Sequence, residues 1–128
     1  MTKFSALKRD FAKALSRLEE ALEQKKSRIV RDAAIKRFEF TFDISWKLMK
    51  ALLEEKKGIV CASPKECIKL AYNQGIIDYD KTWIDVVDLR NEIVHEYSEE
   101  YANGLYAKLP KVAKLFANLK AGIEKNMH

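Results

Sequence analysis

The stretch that decides the fold runs from residue 29 to residue 56 and reads IVRDAAIKRFEFTFDISWKLMKALLEEK. Its apolar side chains recur at three- and four-residue spacing, which predicts a helix that ends before Gly58. One face carries Phe38, Phe42, Ser45, Met49 and Leu52, a second carries Phe40, Ile44, Leu48 and Ala51, and the polar strip holds only Glu39, Asp43, Lys47 and Lys50. A helix with so little polar surface is buried on more than one side. It is either the central helix of a monomeric bundle or a helix whose second face meets another subunit.

Four further helices are predicted around this one. They run from about Lys3 to Lys25, from Ser63 to near Gly75, from about Tyr79 to Tyr97, and from Ser98 as N-cap to roughly Glu124. Ser63 can cap the third helix, Pro64 suits its first position, and Glu66 completes a capping box. Pro110 predicts a bend in the last helix, because it lacks the amide that its turn would need. Short connections imply antiparallel neighbours, so the predicted fold class is an all-α, up-and-down helical bundle of about five helices, four main and one short.

The composition agrees with one domain, residues 1–128, and limits the kind of protein. A hydrophobic content of 48% is enough to bury a core, and four Gly and two Pro are too few for the turns of an all-β fold. The net charge of +5 permits a polyanionic partner such as RNA, or an acidic protein, without requiring one. No apolar run is long enough to cross a membrane and no signal peptide is visible, so a cytoplasmic protein is expected.

The two cysteines, Cys61 and Cys67, lie six residues apart, and the chain has only two histidines. This pattern matches neither a disulfide framework nor a zinc site. We therefore expect two reduced, structural thiols, no metal and no cofactor. Any chemistry must then rest on side chains alone.

The fourth predicted helix contains the segment WIDVVDLRNEIVHEY, residues 83–97. On an ideal helical wheel Arg90 falls near the middle of the apolar face with Tyr97 beside it, and Asp88, Asn91 and His95 form a polar stripe at its margin. A guanidinium does not lose its proton, so burial requires a partner: a carboxylate, carbonyl groups, Tyr97 or a bound phosphate. A satisfied ion pair and a functional site both remain open for Arg90. His95 is suited to proton transfer near neutral pH, or is simply a residue at the surface.

The segment RNEIVHEY, residues 90–97, matches the R-N-x-x-x-H-x-Y signature of HEPN-type proteins without a departure. The segment FEFTFDISWK, residues 38–47, resembles the aromatic second helix of the nucleotidyltransferase substrate-binding protein family. Residues 63–66, residues 74–78 and Trp83 also resemble that family at the corresponding places. The likeness covers about Phe4 to Leu119, and the two motifs with their spacing make it specific.

This resemblance implies a HEPN-like helical bundle that forms a homodimer and pairs with a minimal nucleotidyltransferase encoded nearby. In such pairs the HEPN subunit is a metal-independent ribonuclease toxin, and the transferase is an antitoxin that adds AMP to the motif tyrosine. By position, Arg90 and His95 would be catalytic, Asn91 and Asp88 would support them, and Tyr97 would be modified. RNA would then be the substrate. The alternative is a non-catalytic subunit that binds a substrate or a nucleotide for the transferase.

One geometric difficulty concerns the proposed catalytic pair. Arg90 and His95 are five residues apart, so they would point about 140° from each other on an ideal helix. Either the long side chains converge at the helix margin, or a dimer brings two such helices into one composite cleft. The two apolar faces of the helix at residues 29–56 agree with a dimer. We therefore predict an obligate homodimer in which the motif helices lie near the interface between the two subunits.

Overall fold

The structure is a computed structural model that describes residues 2–125. Within that range it consists of α-helices joined by short connections, with no strand: α1 (Lys3–Glu23), α2 (Arg28–Lys57), α3 (Pro64–Asn73), α4 (Thr82–Glu92) and α5 (Glu99–Lys125). This confirms the predicted all-α bundle, with α3 and α4 both short. No helix in this range is long and apolar enough to span a membrane.

The long α2 helix is the centre of the bundle and packs against α1, α3 and α5. All five residues of its first predicted face are buried. On its second face Ile44, Leu48 and Ala51 are also buried within the same chain, whereas Phe40 is 61% exposed. The central-helix interpretation therefore accounts for most of the second face, and its apolar character does not by itself require a second subunit.

Four of the helices meet at the ring of Phe116, which is fully buried on α5. Its centroid lies 6.1 Å from that of Phe11 on α1, 6.4 Å from Phe38 on α2 and 5.9 Å from Trp83 on α4. Aromatic rings at such separations bury large apolar areas and also interact through their quadrupoles. This cluster holds α4, and with it the start of the motif segment, against the long helices.

The structure confirms the helix caps that the sequence predicts at Ser63, Ser98 and Gly58. Ser63 accepts a hydrogen bond from the amide of Glu66, whose carboxylate reaches back to the amide of Ala62. Ser98 caps α5 by accepting from the amide of Tyr101. Gly58 ends α2 with φ of 64°, a left-handed conformation that glycine adopts without a steric penalty.

The α5 helix continues through Pro110, whose flanking turns contain the buried Leu109 and Val112. Packing on both sides of the proline keeps the helix continuous although one backbone hydrogen bond is missing.

The fourth helix is shorter at both ends than predicted. It begins at Thr82, after a turn in which the Asp80 carboxylate accepts a hydrogen bond from the Thr82 amide at 2.9 Å. It ends at Glu92, whose carbonyl accepts from the amides of both His95 and Glu96 in a closing turn. The fourth helix is confirmed but its predicted bounds, about Tyr79 to Tyr97, were wrong at both ends, and the second half of the motif lies in the α4–α5 connection.

The expectation of two reduced thiols was also wrong in this structure. Cys61 and Cys67 form a disulfide, with their Cα atoms 5.3 Å apart. The connection after α2 and the first turn of α3 fold back on each other, which brings two residues of short separation within bonding reach. Both cysteines are buried, so the bond closes the α2–α3 connection inside the core.

Candidate functional site

Arg90 lies in the last turn of α4 and points at the polar strip of α2. Its Nε and Nη2 atoms donate to the two carboxylate oxygens of Asp43, both at 3.4 Å, and its Nη1 atom lies 3.7 Å from Glu39 Oε2. The side chain is 23% exposed. Arg90 therefore lies at the edge of the core rather than in the middle of an apolar face, and carboxylates meet its charge.

The contacts of Arg90 with these carboxylates are long. Charge-assisted N–H···O bonds usually measure about 2.7–2.9 Å, and the three separations here are 3.4, 3.4 and 3.7 Å. Because the guanidinium is also partly open to solvent, a bound phosphate could compete with Asp43 for the same donors. The predicted need for a partner is thus met without sealing Arg90 into the core.

His95 lies beyond the end of α4, in the turn that leads to α5, and is exposed. Within residues 2–125 its imidazole makes no hydrogen bond or ion pair. The 140° separation calculated for an ideal helix does not apply, because the helix stops at Glu92. The direction of His95 relative to Arg90 is set by this turn.

Tyr97 lies in the same connection, is 49% exposed, and donates its hydroxyl to Asp32 Oδ1 at 3.0 Å. Asp32 in turn accepts from Nε of Arg31 at 3.0 Å. Tyr97 therefore contacts α2 about two to three turns before the carboxylates that hold Arg90. Both ends of the motif are attached to the polar side of the same helix.

Arg31 is the residue that the sequence analysis missed. It is 4% exposed, and its guanidinium also donates to Glu99 at 2.7 and 3.2 Å and to Asn103 at 3.2 Å. Its spacing from Ile35 and Phe38 places it on the buried face of α2, a signal that could have identified it. By joining α2 to the first turn of α5, Arg31 fixes where the motif connection ends.

These contacts change the acidities of the groups around Tyr97. The hydrogen bond from Arg31 is the main cause that lowers the pKa of Asp32, with a further contribution from the Tyr97 hydroxyl. Burial raises the pKa of Tyr97, and the hydrogen bond to Asp32 and the negative charge of Glu39 act in the same direction. At neutral pH Tyr97 is therefore a neutral hydrogen-bond donor to an ionised Asp32. Glu39 lies close enough to influence both Tyr97 and Arg90.

The two predicted supporting residues do not join this network. Asn91 is exposed. Asp88 forms an ion pair with Lys65 of α3 at 3.0 Å and is itself about half exposed. The structure thus attaches Arg90 and Tyr97 to α2 at points two to three turns apart, with His95 in the connection between them, whereas Asp88 faces α3.

The part of the chain that the structure describes contains no cluster of His, Cys, Asp and Glu that could hold a metal ion. The candidate site combines a partly exposed cation, an imidazole open to solvent and an accessible phenol. Those groups can bind an anion, exchange a proton and accept a transferred group.

A model of proteins described as nucleotidyltransferase substrate binding protein like matches residues 7–125. The chain belongs to this family. A nucleotidyltransferase substrate-binding protein of this kind is named for its association with a nucleotidyltransferase, and the matched range covers every element of the candidate site.

Two relatives extend the comparison of this family member. A probable ribonuclease HepT from Haemophilus influenzae is 31% identical over 80 residues, which covers 59% of this chain and 55% of the relative. The chain thus matches only about half the length of that curated protein. A crystal structure of a protein from Thermus thermophilus is 38% identical and superposes with a TM-score of 0.80, covering 85% of this chain and 94% of the other.

Proposed function

We propose that this chain is the metal-independent ribonuclease toxin of a toxin–antitoxin pair, and that a minimal nucleotidyltransferase silences it by adding AMP to Tyr97. The observation that carries the proposal is the exposure of the three motif side chains along the polar side of α2. Arg90 is partly open, and His95 and Tyr97 are exposed in the connection that follows it. Membership of the family and the name of the Haemophilus relative support it.

The chemistry requires only these side chains. The ribose 2′-hydroxyl attacks the adjacent phosphorus, the 5′-oxygen leaves, and a 2′,3′-cyclic phosphate forms. His95 exchanges the proton of the attacking or leaving oxygen. Arg90 turns from Asp43 to the phosphate and stabilises the charge that develops on its oxygens. The 2′-hydroxyl makes RNA, rather than DNA, the substrate, and the site of action is the cytoplasm.

Silencing follows from the position of Tyr97. Its hydroxyl oxygen attacks the α-phosphorus of ATP, pyrophosphate leaves, and the phenolic proton is lost to the transferase or to solvent. The product carries a negative phosphate at the point where Asp32 and Glu39 are already negative. This charge repels the RNA backbone and competes for Arg90, while the nucleotide fills the approach to His95.

The pairing of two copies belongs to the same proposal. Val94 in the motif turn is 73% exposed, and Ile29 on α2 is 82% exposed. Large apolar side chains close to a motif favour an interface. We expect the mass of a dimer by light scattering at micromolar concentration, and a monomer at that concentration would contradict the homodimer.

The test of the proposal uses a nucleotidyltransferase encoded beside this chain. Wild-type protein is incubated with the transferase and ATP, and Tyr97→Phe is the matched control because it removes only the acceptor oxygen. We expect a gain of AMP on Tyr97 in the wild type, with RNA cleavage in the presence of a chelator before the treatment and its loss afterwards. Cleavage that requires a divalent ion would contradict the metal-independent ribonuclease. Absence of AMP on Tyr97 after the treatment would contradict the proposed silencing.

The second candidate is a non-catalytic subunit that binds a substrate or nucleotide for the transferase. The ion pairs of Arg90 with Asp43 and Glu39 favour it, because a guanidinium so engaged also serves a purely structural role. Tight binding to the transferase, together with no cleavage by the unmodified protein, would favour this candidate over the ribonuclease.

A further inference from the structure

The groove between α1 and α2 carries unpaired cations, whereas the cations of the motif face, the polar side of α2 that contacts Arg90 and Tyr97, are paired with carboxylates. Its volume is about 430 Å³, and it is lined by Ala14, Arg17, Glu20, Lys36, Arg37 and Phe40. Three of these six residues are cationic and one is acidic. The motif face, by contrast, carries the carboxylates of Asp32, Glu39 and Asp43.

The three cations of the groove have no acidic partner. In residues 2–125 no carboxylate lies within ion-pair distance of Arg17, Lys36 or Arg37. The guanidinium of Arg37 donates to the backbone carbonyl of Arg17 at 2.8 Å, which fixes its position across the two helices. Unpaired cations held on both walls of a groove create a positive potential that attracts a polyanion.

An exposed aromatic ring accompanies these charges. Phe40 is 61% exposed although the second face of α2 to which it belongs is otherwise buried. Every nucleobase presents a π-face, so an accessible ring beside cations suits a single strand whose bases are unstacked. An acidic peptide would satisfy the cations but would leave the ring without a specific role.

The groove adjoins the motif face along α2. Lys36 and Glu39 are three residues apart, as are Phe40 and Asp43, so the members of each pair are neighbours on the helix surface. Glu39 and Asp43 are the carboxylates that contact Arg90. A strand lying in the groove therefore passes within one helical turn of the place where Arg90 is held.

We infer that the α1–α2 groove is a binding site for single-stranded RNA, in which Arg17, Lys36 and Arg37 contact phosphates and Phe40 stacks on a base. The inference rests on the proposed function, since the groove would bind the RNA that the motif is proposed to cleave. The carboxylates of Asp32, Glu39 and Asp43 are paired with the guanidinium groups of Arg31 and Arg90, so the motif face has little free positive charge and needs a separate cationic surface to retain its substrate. The groove provides that surface on the helix shared with the motif.

The experiment measures binding of a fluorescently labelled, unstructured RNA of about 12 nucleotides by anisotropy, at several salt concentrations. All variants carry His95→Ala so that cleavage does not consume the probe. The groove variants are Arg17→Ala with Lys36→Ala, and separately Phe40→Ala. The charge-matched control is Lys56→Ala with Lys114→Ala, two exposed lysines outside the groove. Circular dichroism checks that each variant is folded.

The groove double variant is expected to weaken binding about tenfold or more at low salt, and to reduce the salt dependence by about 1.4 in log–log slope because two phosphate contacts are lost. Phe40→Ala is expected to weaken binding roughly fivefold or more. The control should change the affinity by less than about twofold, since distant charges are screened. Equal effects of the double variant and the control, or no binding of RNA by any variant, would overturn the inference.

Cleavage of the same RNA by proteins that retain His95 separates the inference from the ribonuclease proposal. If the wild type cleaves the RNA and the groove variants bind it with unchanged affinity, the groove is not the RNA-binding site, and the ribonuclease proposal is unaffected. If the groove variants bind RNA more weakly but the wild type does not cleave it, RNA binding in the groove is supported and the ribonuclease proposal is contradicted. If Phe40→Ala abolishes a dimer in light scattering and leaves RNA affinity per protomer unchanged, the ring contacts a second copy of the chain, and its role in RNA binding is wrong.

Discussion

Replacing His95 by alanine is expected to slow RNA cleavage by a factor of about 10²–10⁴, the usual contribution of a positioned acid or base. The loss should be in the chemical step, because His95 does not belong to the groove that we propose holds RNA. Stability should change little, since His95 is exposed and its side chain has no partner in the described part of the chain. Single-turnover cleavage of a labelled RNA, together with thermal unfolding, measures both quantities.

A neighbouring substitution in the same turn provides the control. Glu96 is exposed and its side chain makes no hydrogen bond or ion pair within residues 2–125, so Glu96→Ala tests whether any change in this connection impairs cleavage. We expect it to leave the rate within about threefold of the wild type, because surface changes away from the reacting groups have small effects. Full activity of His95→Ala would exclude the imidazole from the chemistry. Equal losses in both variants would point to the conformation of the turn instead.

The largest expected effect on stability comes from Phe116→Ala. This ring is fully buried and contacts aromatic rings from α1, α2 and α4, so its removal leaves a cavity among four helices. Truncation of a buried phenylalanine usually costs about 3–5 kcal/mol, a large share of the roughly 5–15 kcal/mol that stabilises a typical domain. Urea unfolding followed by circular dichroism would measure the change.

Two further variants keep this prediction testable if Phe116→Ala does not fold. Phe116→Leu retains most of the volume and should lose less stability than the alanine variant. Phe40→Ala removes the same side chain from a site that is 61% exposed, so its effect should stay within about 0.5 kcal/mol. A similar loss for Phe40→Ala and Phe116→Leu would contradict the assignment of Phe116 as the centre of the core.

The elements whose signals are local could be predicted from the sequence. The helix starts at Ser63 and Ser98 depend on side chains within three residues of the amides that they satisfy, and the stop at Gly58 depends on the left-handed conformation of that glycine. The end of α4 at Glu92 was not predicted, because no local stop signal marks it. The apolar period continues through Ile93 and Val94, and the chain beyond the end of α4 contacts α2 through the hydrogen bond between Tyr97 and Asp32, 65 residues apart.

In the candidate site, too, the residue identities were predicted from the sequence and their contacts were not. The motif gave the identities of Arg90, His95 and Tyr97, but a helical wheel drawn through them assumed a continuous helix, whereas α4 ends before His95. The hydrogen-bond partner of Arg90 lies 47 residues earlier in the chain, and Arg31 reaches Glu99 across 68 residues. No periodicity within one helix contains that information. Arg31 lies on a face that the wheel could have shown to be buried, yet only the packing of α5 identifies Glu99 as its partner.

By itself, the sequence determined an all-helical bundle, its core periodicity, the caps at Ser63, Ser98 and Gly58, and the motif that marks the family, because these depend on neighbours within a few residues. The tertiary structure alone decided where α4 ends, which carboxylates hold Arg90, how Arg31 joins α2 to α5, and that Cys61 meets Cys67. Ion pairs and cross-links depend on the distance between groups in the folded chain. That distance is set only when the helices pack.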